Sequence, residues 1–141
     1  MKKNIAPLLI VCLLGSVFYL IIGWLVFDLL FGNYTESNTT HLHGFKKSAD
    51  FNFPFLYLSC LSYAVLINII LLKSTIQTYG GAIIYCSIIG ILIACMTDFF
   101  WYASTNFYSN FFVVVFDIIG AAISVGLLGA FQFLLIRKLN K

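Results

Sequence analysis

Four apolar runs, residues 5–31, 53–72, 81–102 and 111–136, fill most of a 141-residue chain. At about 1.5 Å per residue, each helical run crosses a hydrocarbon layer of about 30 Å, the longer ones with tilt. A barrel strand needs strict alternation of apolar and polar positions, and these runs are apolar on every side, so the pattern allows only helix. With 62% of residues hydrophobic and 9% charged, a soluble globular domain is excluded and no length remains for an extramembrane catalytic module. The expectation is a single all-α domain, residues 1–141: an integral membrane bundle of four transmembrane helices.

The charges at the span ends orient that bundle. Lys2, Lys3, Lys73, Arg137, Lys138 and Lys141 fall on one side and Lys46 and Lys47 on the other, which predicts both termini cytoplasmic in a multi-pass protein of the bacterial inner (cytoplasmic) membrane. The first run is too long for the h-region of a signal peptide, and Val11 stands before Cys12 where lipoprotein processing wants a small residue. Residues 33–52 then form a polar external loop, long enough to build a small cap. The short link Ser74–Gly80 predicts that the second and third spans are antiparallel neighbours. Aromatic residues crowd the external ends in the manner of an interfacial belt, and the basic residues form no patch with interleaved aromatics, so no nucleic-acid partner is expected. The expected surroundings are the lipid bilayer, with a second copy or another membrane protein as possible partners.

Close packing of such helices relies on small residues. Ala122, Gly126 and Ala130 recur every four residues in the fourth span, and Gly90 and Ala94 lead along one face of the third to Asp98. Of only five acids, Asp28, Asp98 and Asp117 lie inside or at the edge of apolar spans, where a carboxylate is costly and rare. In the predicted topology Asp28 and Asp98 sit roughly 6 Å below the outer surface and Asp117 roughly 9 Å, so three acids from three helices reach similar depth. Tyr57, Ser59, Ser62 and Tyr63 offer hydroxyl donors at that depth, with Tyr102 one turn beyond Asp98 and Trp24 one turn before Asp28. Two carboxyls within several ångströms of each other would share a proton or a cation; the bland alternative is that each hydrogen-bonds its neighbours or reaches the headgroups. Asn68, deeper in the second span, reads as a contact between helices.

His41 and His43 have an i, i+2 spacing that puts both imidazoles on one side of an extended strand, a weak metal-site pattern with no third ligand fixed by spacing. Cys12, Cys60, Cys86 and Cys95 lie inside apolar runs without CxxC spacing and read as packing residues. No nucleotide, hydrolase or zinc-protease pattern is present, so neither enzyme activity nor a cofactor is expected. Asp28 to Asn38 and Asp98 to Asn110 share a faint echo, each running from an aspartate through aromatics to a polar exit.

On Gly23-Trp24-Leu25-Val26-Phe27, on Asp98 with Tyr102-Ala103-Ser104-Thr105-Asn106, and on Asp117, the chain resembles a bacterial family of uncharacterised four-helix integral membrane proteins, carried as a domain of unknown function. It has Phe27 where that family usually has Tyr, and Ser104 where Thr is usual. The resemblance implies an inner-membrane four-helix fold and no activity. The leading expectation is a non-enzymatic structural or interaction role, with Asp28, Asp98, Asp117, Tyr63, Tyr102 and Asn106 organising the outer end. The alternative is a small proton- or cation-coupled transporter or channel subunit that uses those aspartates.

Overall fold

The computed structural model describes residues 5–39 and 52–139, with side-chain surroundings from Pro7 onward. The predicted histidine site at His41 and His43, the lysines at 2, 3, 46, 47 and 141, and most of the 33–52 loop lie outside the described residues. Helix α1 (Ile5–Gly23) continues as a π-helical segment, Trp24–Leu30, and is followed by a short α2 (Gly32–Asn38). The remaining helices are α3 (Phe53–Lys73), α4 (Tyr79–Ser104) and α5 (Phe111–Leu139). Four stretches, Pro7–Leu30, Phe53–Lys73, Tyr79–Ser104 and Phe111–Leu139, are long and apolar enough to cross a membrane. They match the four expected spans to within three residues.

The polarity of the bundle is inverted relative to a water-soluble protein. Leu30, Phe55, Met96 and Phe112 are among many large apolar side chains on the outside, while Ser16, Asn68, Asp98, Ser124 and Gln132 are buried. In lipid this is the stable arrangement, because the acyl chains solvate leucine and phenylalanine and a polar group finds partners only against another helix.

Helix α5 is the hub. It packs along α4 and also touches α1 and α3, while α1 packs along α3. The short link between α3 and α4 does not make those two helices principal partners as expected; α4 turns to α5 because small residues let the two backbones close up. Ala82, Cys86, Gly90, Ala94 and Asp98 form one buried stripe on α4, extending the predicted Gly90–Ala94 face in both directions. A methyl on Gly90 would stand 2.7 Å from the Ala121 carbonyl oxygen and 2.9 Å from Val125 Cβ. The Ser87 hydroxyl donates to the Ala122 carbonyl at 2.8 Å, and Gly126 and Gly129 face Ser87 and Cys86. Ala122 and Gly126 of the predicted α5 stripe do meet α4, with Ala122 and Ala130 half-buried, and the contact face also takes in Ala121, Val125 and Gly129.

The other seams use buried amides. Gln132 of α5 donates to the Ala64 carbonyl of α3 at 2.8 Å and fills the space beside Gly15 of α1, so one side chain ties three helices together. Asn68 of α3 donates to Cys12 Sγ at 3.0 Å, in keeping with its expected role between helices. Phe18 of α1 stacks on Phe131 of α5 with ring centroids 4.3 Å apart. A core of Ile67, Leu71, Ala82, Cys86, Val125, Leu128 and Phe133 fills the half of the bundle away from α2.

Candidate functional site

At the α2 end of the bundle, Asn38 and Thr39 meet the link between α4 and α5 to form a cap. Thr39 and Tyr108 form an isolated antiparallel bridge, and the Ser109 N–H donates to the Asn38 carbonyl at 2.9 Å. Asn110 does double duty: its Nδ2 donates to Asn38 Oδ1 at 2.8 Å, and its Oδ1 accepts the Val113 N–H at 3.3 Å, capping the first turn of α5. The two ends of the sequence echo, Asn38 and Asn110, are thus directly bonded. Asn110→Ala removes both contacts and is expected to lower thermal stability by about 1 kcal/mol, as a lost helix cap does; unfolding followed by circular dichroism in detergent reads this.

The cap delivers Tyr108 to the carboxyls. Its hydroxyl lies 3.2 Å from Asp98 Oδ1 and 3.3 Å from Asp117 Oδ2, within hydrogen-bond distance of both. The two carboxyls thus converge on one hydroxyl. Asp98 arrives on the small-residue stripe of α4 and is 5% exposed; Asp117, half-buried, comes from the adjoining face of α5. The Thr97 hydroxyl lies 3.4 Å from Asp98 Oδ1, while Asp98 Oδ2 is buried without a donor. Tyr63 of α3 and Tyr19 of α1 pack ring to ring with centroids 5.1 Å apart. Burial, then the charges of Asp117 and Asp98, push the Tyr108 phenol above its ordinary value, so it remains a protonated donor.

Two of the three predicted aspartates therefore meet, and Asp28 does not join them. It is exposed, because the π-helical segment takes an extra residue per turn and presents Val26 and Phe27 to α5 instead. The Phe27 ring lies against Gly120, where a methyl would stand 2.7 Å from its Cε1. Tyr102 also points away: it is exposed and packs edge-on against Phe111 at 5.8 Å. Asn106 is exposed on the link that carries Tyr108. Of the donors expected from the second span, Tyr57 accepts from Ser16 at 2.9 Å, Ser62 donates to the Leu58 carbonyl of its own helix, Ser59 is exposed, and Tyr63 packs against Tyr19.

Tyr108 is the residue that sequence reading assigned to the aromatic belt. A signal for it exists in the numbering. It stands ten residues after Asp98 and nine before Asp117, at the middle of a link that must turn back over both helix ends. Tyr108→Phe keeps the ring, which packs on Phe107 at 4.9 Å, and removes only the bridge. The expected loss is about 1–3 kcal/mol in the free energy of cap opening, read by hydrogen exchange at Ser109.

Among the described residues no group of three or more potential metal ligands is found, and the four cysteines are unpaired. Comparison with family models, with curated proteins and with solved structures finds no match to this chain.

Proposed function

We propose that this chain is a small, non-enzymatic proton- or cation-coupled membrane protein, a transporter or channel subunit, in which Asp98 and Asp117 form the binding site and Tyr108 its latch. The observation that carries the reading is the count of protons. A phenol has one hydrogen and touches two carboxyl oxygens, at 3.2 and 3.3 Å; both contacts are satisfied when it donates to one carboxyl and accepts from the other, protonated, one.

A purely structural role, the leading expectation from sequence, is the weaker reading of this geometry. Two acids side by side repel unless a proton or cation lies between them, and a serine or asparagine would join the same helices without that requirement. The described cations Lys73, Arg137 and Lys138 stand at the opposite ends of α3 and α5. Their position on one rim supports the bacterial cytoplasmic membrane, with both termini inside, as the place of action. Membership of the four-helix family is part of the same proposal, supported by Asp98 and Asp117 being both its motif residues and the pair that meets.

Reconstitution into proteoliposomes tests it. An imposed pH or alkali-cation gradient is expected to drive flux through the wild type, and Asp98→Asn, folded by circular dichroism, is expected to abolish that flux. No flux in the wild type for protons or any alkali cation, or undiminished flux in Asp98→Asn, contradicts the reading.

A further inference from the structure

The opposite rim carries a second concavity. A cavity of about 510 Å³ opens between the end of α3, the link to α4 and the last turns of α5. Its walls divide by chemistry: Leu71, Leu72, Phe133 and Ile136 line the apolar part, and Gln77 and Arg137 the polar part. The Arg137 guanidinium is held over two rings, 5.9 Å from the centroid of Tyr79 and 5.5 Å from that of Phe133. That placement fixes the cation at the mouth of the cavity at little further cost in side-chain entropy.

Among the described residues this cation has no acidic counterpart at its own end: Asp28, Glu36, Asp98 and Asp117 belong to the half of the bundle near the cap. Lys73 and Lys138 add positive charge in the last turns of α3 and α5. The rim lies where spanning helices end, at the level at which acyl chains give way to phosphates. An apolar floor continuous with the lipid-facing surface and a fixed guanidinium above it match one kind of molecule, a phospholipid whose headgroup is an anion.

We infer that this cavity is a binding site for an anionic phospholipid, with the lipid phosphate on Arg137 and Gln77 and the upper part of its acyl chains against Leu71, Leu72 and Ile136. The inference is independent of the carboxyl pair, which lies at the far end of the spans, and of which leaflet this rim faces. The probe is phosphatidylglycerol against phosphatidylcholine of the same acyl chains, titrated into the detergent-solubilised full chain, with melting temperature and native mass spectrometry as readouts.

Phosphatidylglycerol is expected to bind in a defined stoichiometry and to raise the melting temperature, phosphatidylcholine to do neither, and Arg137→Gln to weaken phosphatidylglycerol about tenfold. Equal effects of the two lipids, or wild-type affinity in Arg137→Gln, overturn the site. Should Arg137→Gln fail to fold, Gln77→Ala and competition in the wild type decide: weakened binding in Gln77→Ala supports the site and unchanged binding overturns it. Inorganic phosphate at millimolar concentration should leave bound lipid in place; its displacement of the lipid would mark a general anion site and overturn the lipid assignment.

Discussion

Asp117→Asn is expected to hold the cap closed at every pH and to remove the pH dependence of its opening. In the proposed site the wild type holds a shared proton at low pH and loses it as pH rises. Tyr108 then keeps the bond it donates and loses the one its oxygen accepts, which leaves that oxygen unpaired against a carboxylate at a cost of about 1–3 kcal/mol and so weakens the latch. Among the described residues, the groups in hydrogen-bond contact with the pair are Tyr108 from the link and Thr97 beside Asp98, and neither is a cation that would absorb the added charge. An asparagine at 117 can donate to the Tyr108 oxygen through Nδ2 while Tyr108 donates to Asp98, with no titrating proton needed. Hydrogen exchange of the Ser109 amide, corrected for intrinsic rates, is the readout. Protection should fall by at least about tenfold from acid to alkaline pH in the wild type and stay level in Asp117→Asn.

Gly90→Val is expected to separate α4 from α5 and to leave little folded protein in detergent. The neighbours that an added carbon meets are the Ala121 carbonyl oxygen at 2.7 Å and Val125 Cβ at 2.9 Å, backbone and branched side chain with no flexible end to swing aside. Gly90→Ala should already cost about 1–3 kcal/mol through overpacking, and valine more. Gly23→Ala is the control, since a methyl there has nothing within 4 Å and alanine is the better helix former by about 0.5–1 kcal/mol. Thermal unfolding by circular dichroism should therefore rank Gly23→Ala at or above the wild type and Gly90→Ala well below it. A Gly90→Ala protein as stable as the wild type would remove the close α4–α5 contact on which the carboxyl pairing depends.

The spans could be read from sequence because lipid imposes one simple condition, a run of about twenty apolar residues, and that condition is local. The pairing of Asp98 with Asp117 could be anticipated in part from depth, which is counted along each helix. Direction around a helix is harder. Asp28 sits at the matching depth and faces outward, because a π-helical stretch from Trp24 to Leu30 shifts every side chain relative to a 3.6-residue turn. No composition cue in that stretch marks the change of winding. The α4 stripe was visible because Gly90, Ala94 and Asp98 repeat every four residues. The α5 stripe is legible only in part: Ala122 and Gly126 meet α4, while Val125, fully buried on the same face, does not stand out among apolar neighbours. Tyr108 escaped notice for a related reason: an aromatic at a membrane surface has a sufficient ordinary explanation, and only the fold-back of the link gives its hydroxyl a second task.

The most direct test of the carboxyl pair is infrared difference spectroscopy of the reconstituted protein across a pH titration, following the carbonyl stretch of a protonated carboxylic acid. A single proton shared by Asp98 and Asp117 predicts one such band that bleaches as pH rises, and that both Asp98→Asn and Asp117→Asn abolish. If the band is absent in the wild type, or survives in either variant, the two acids do not share a proton and the proposed site is wrong.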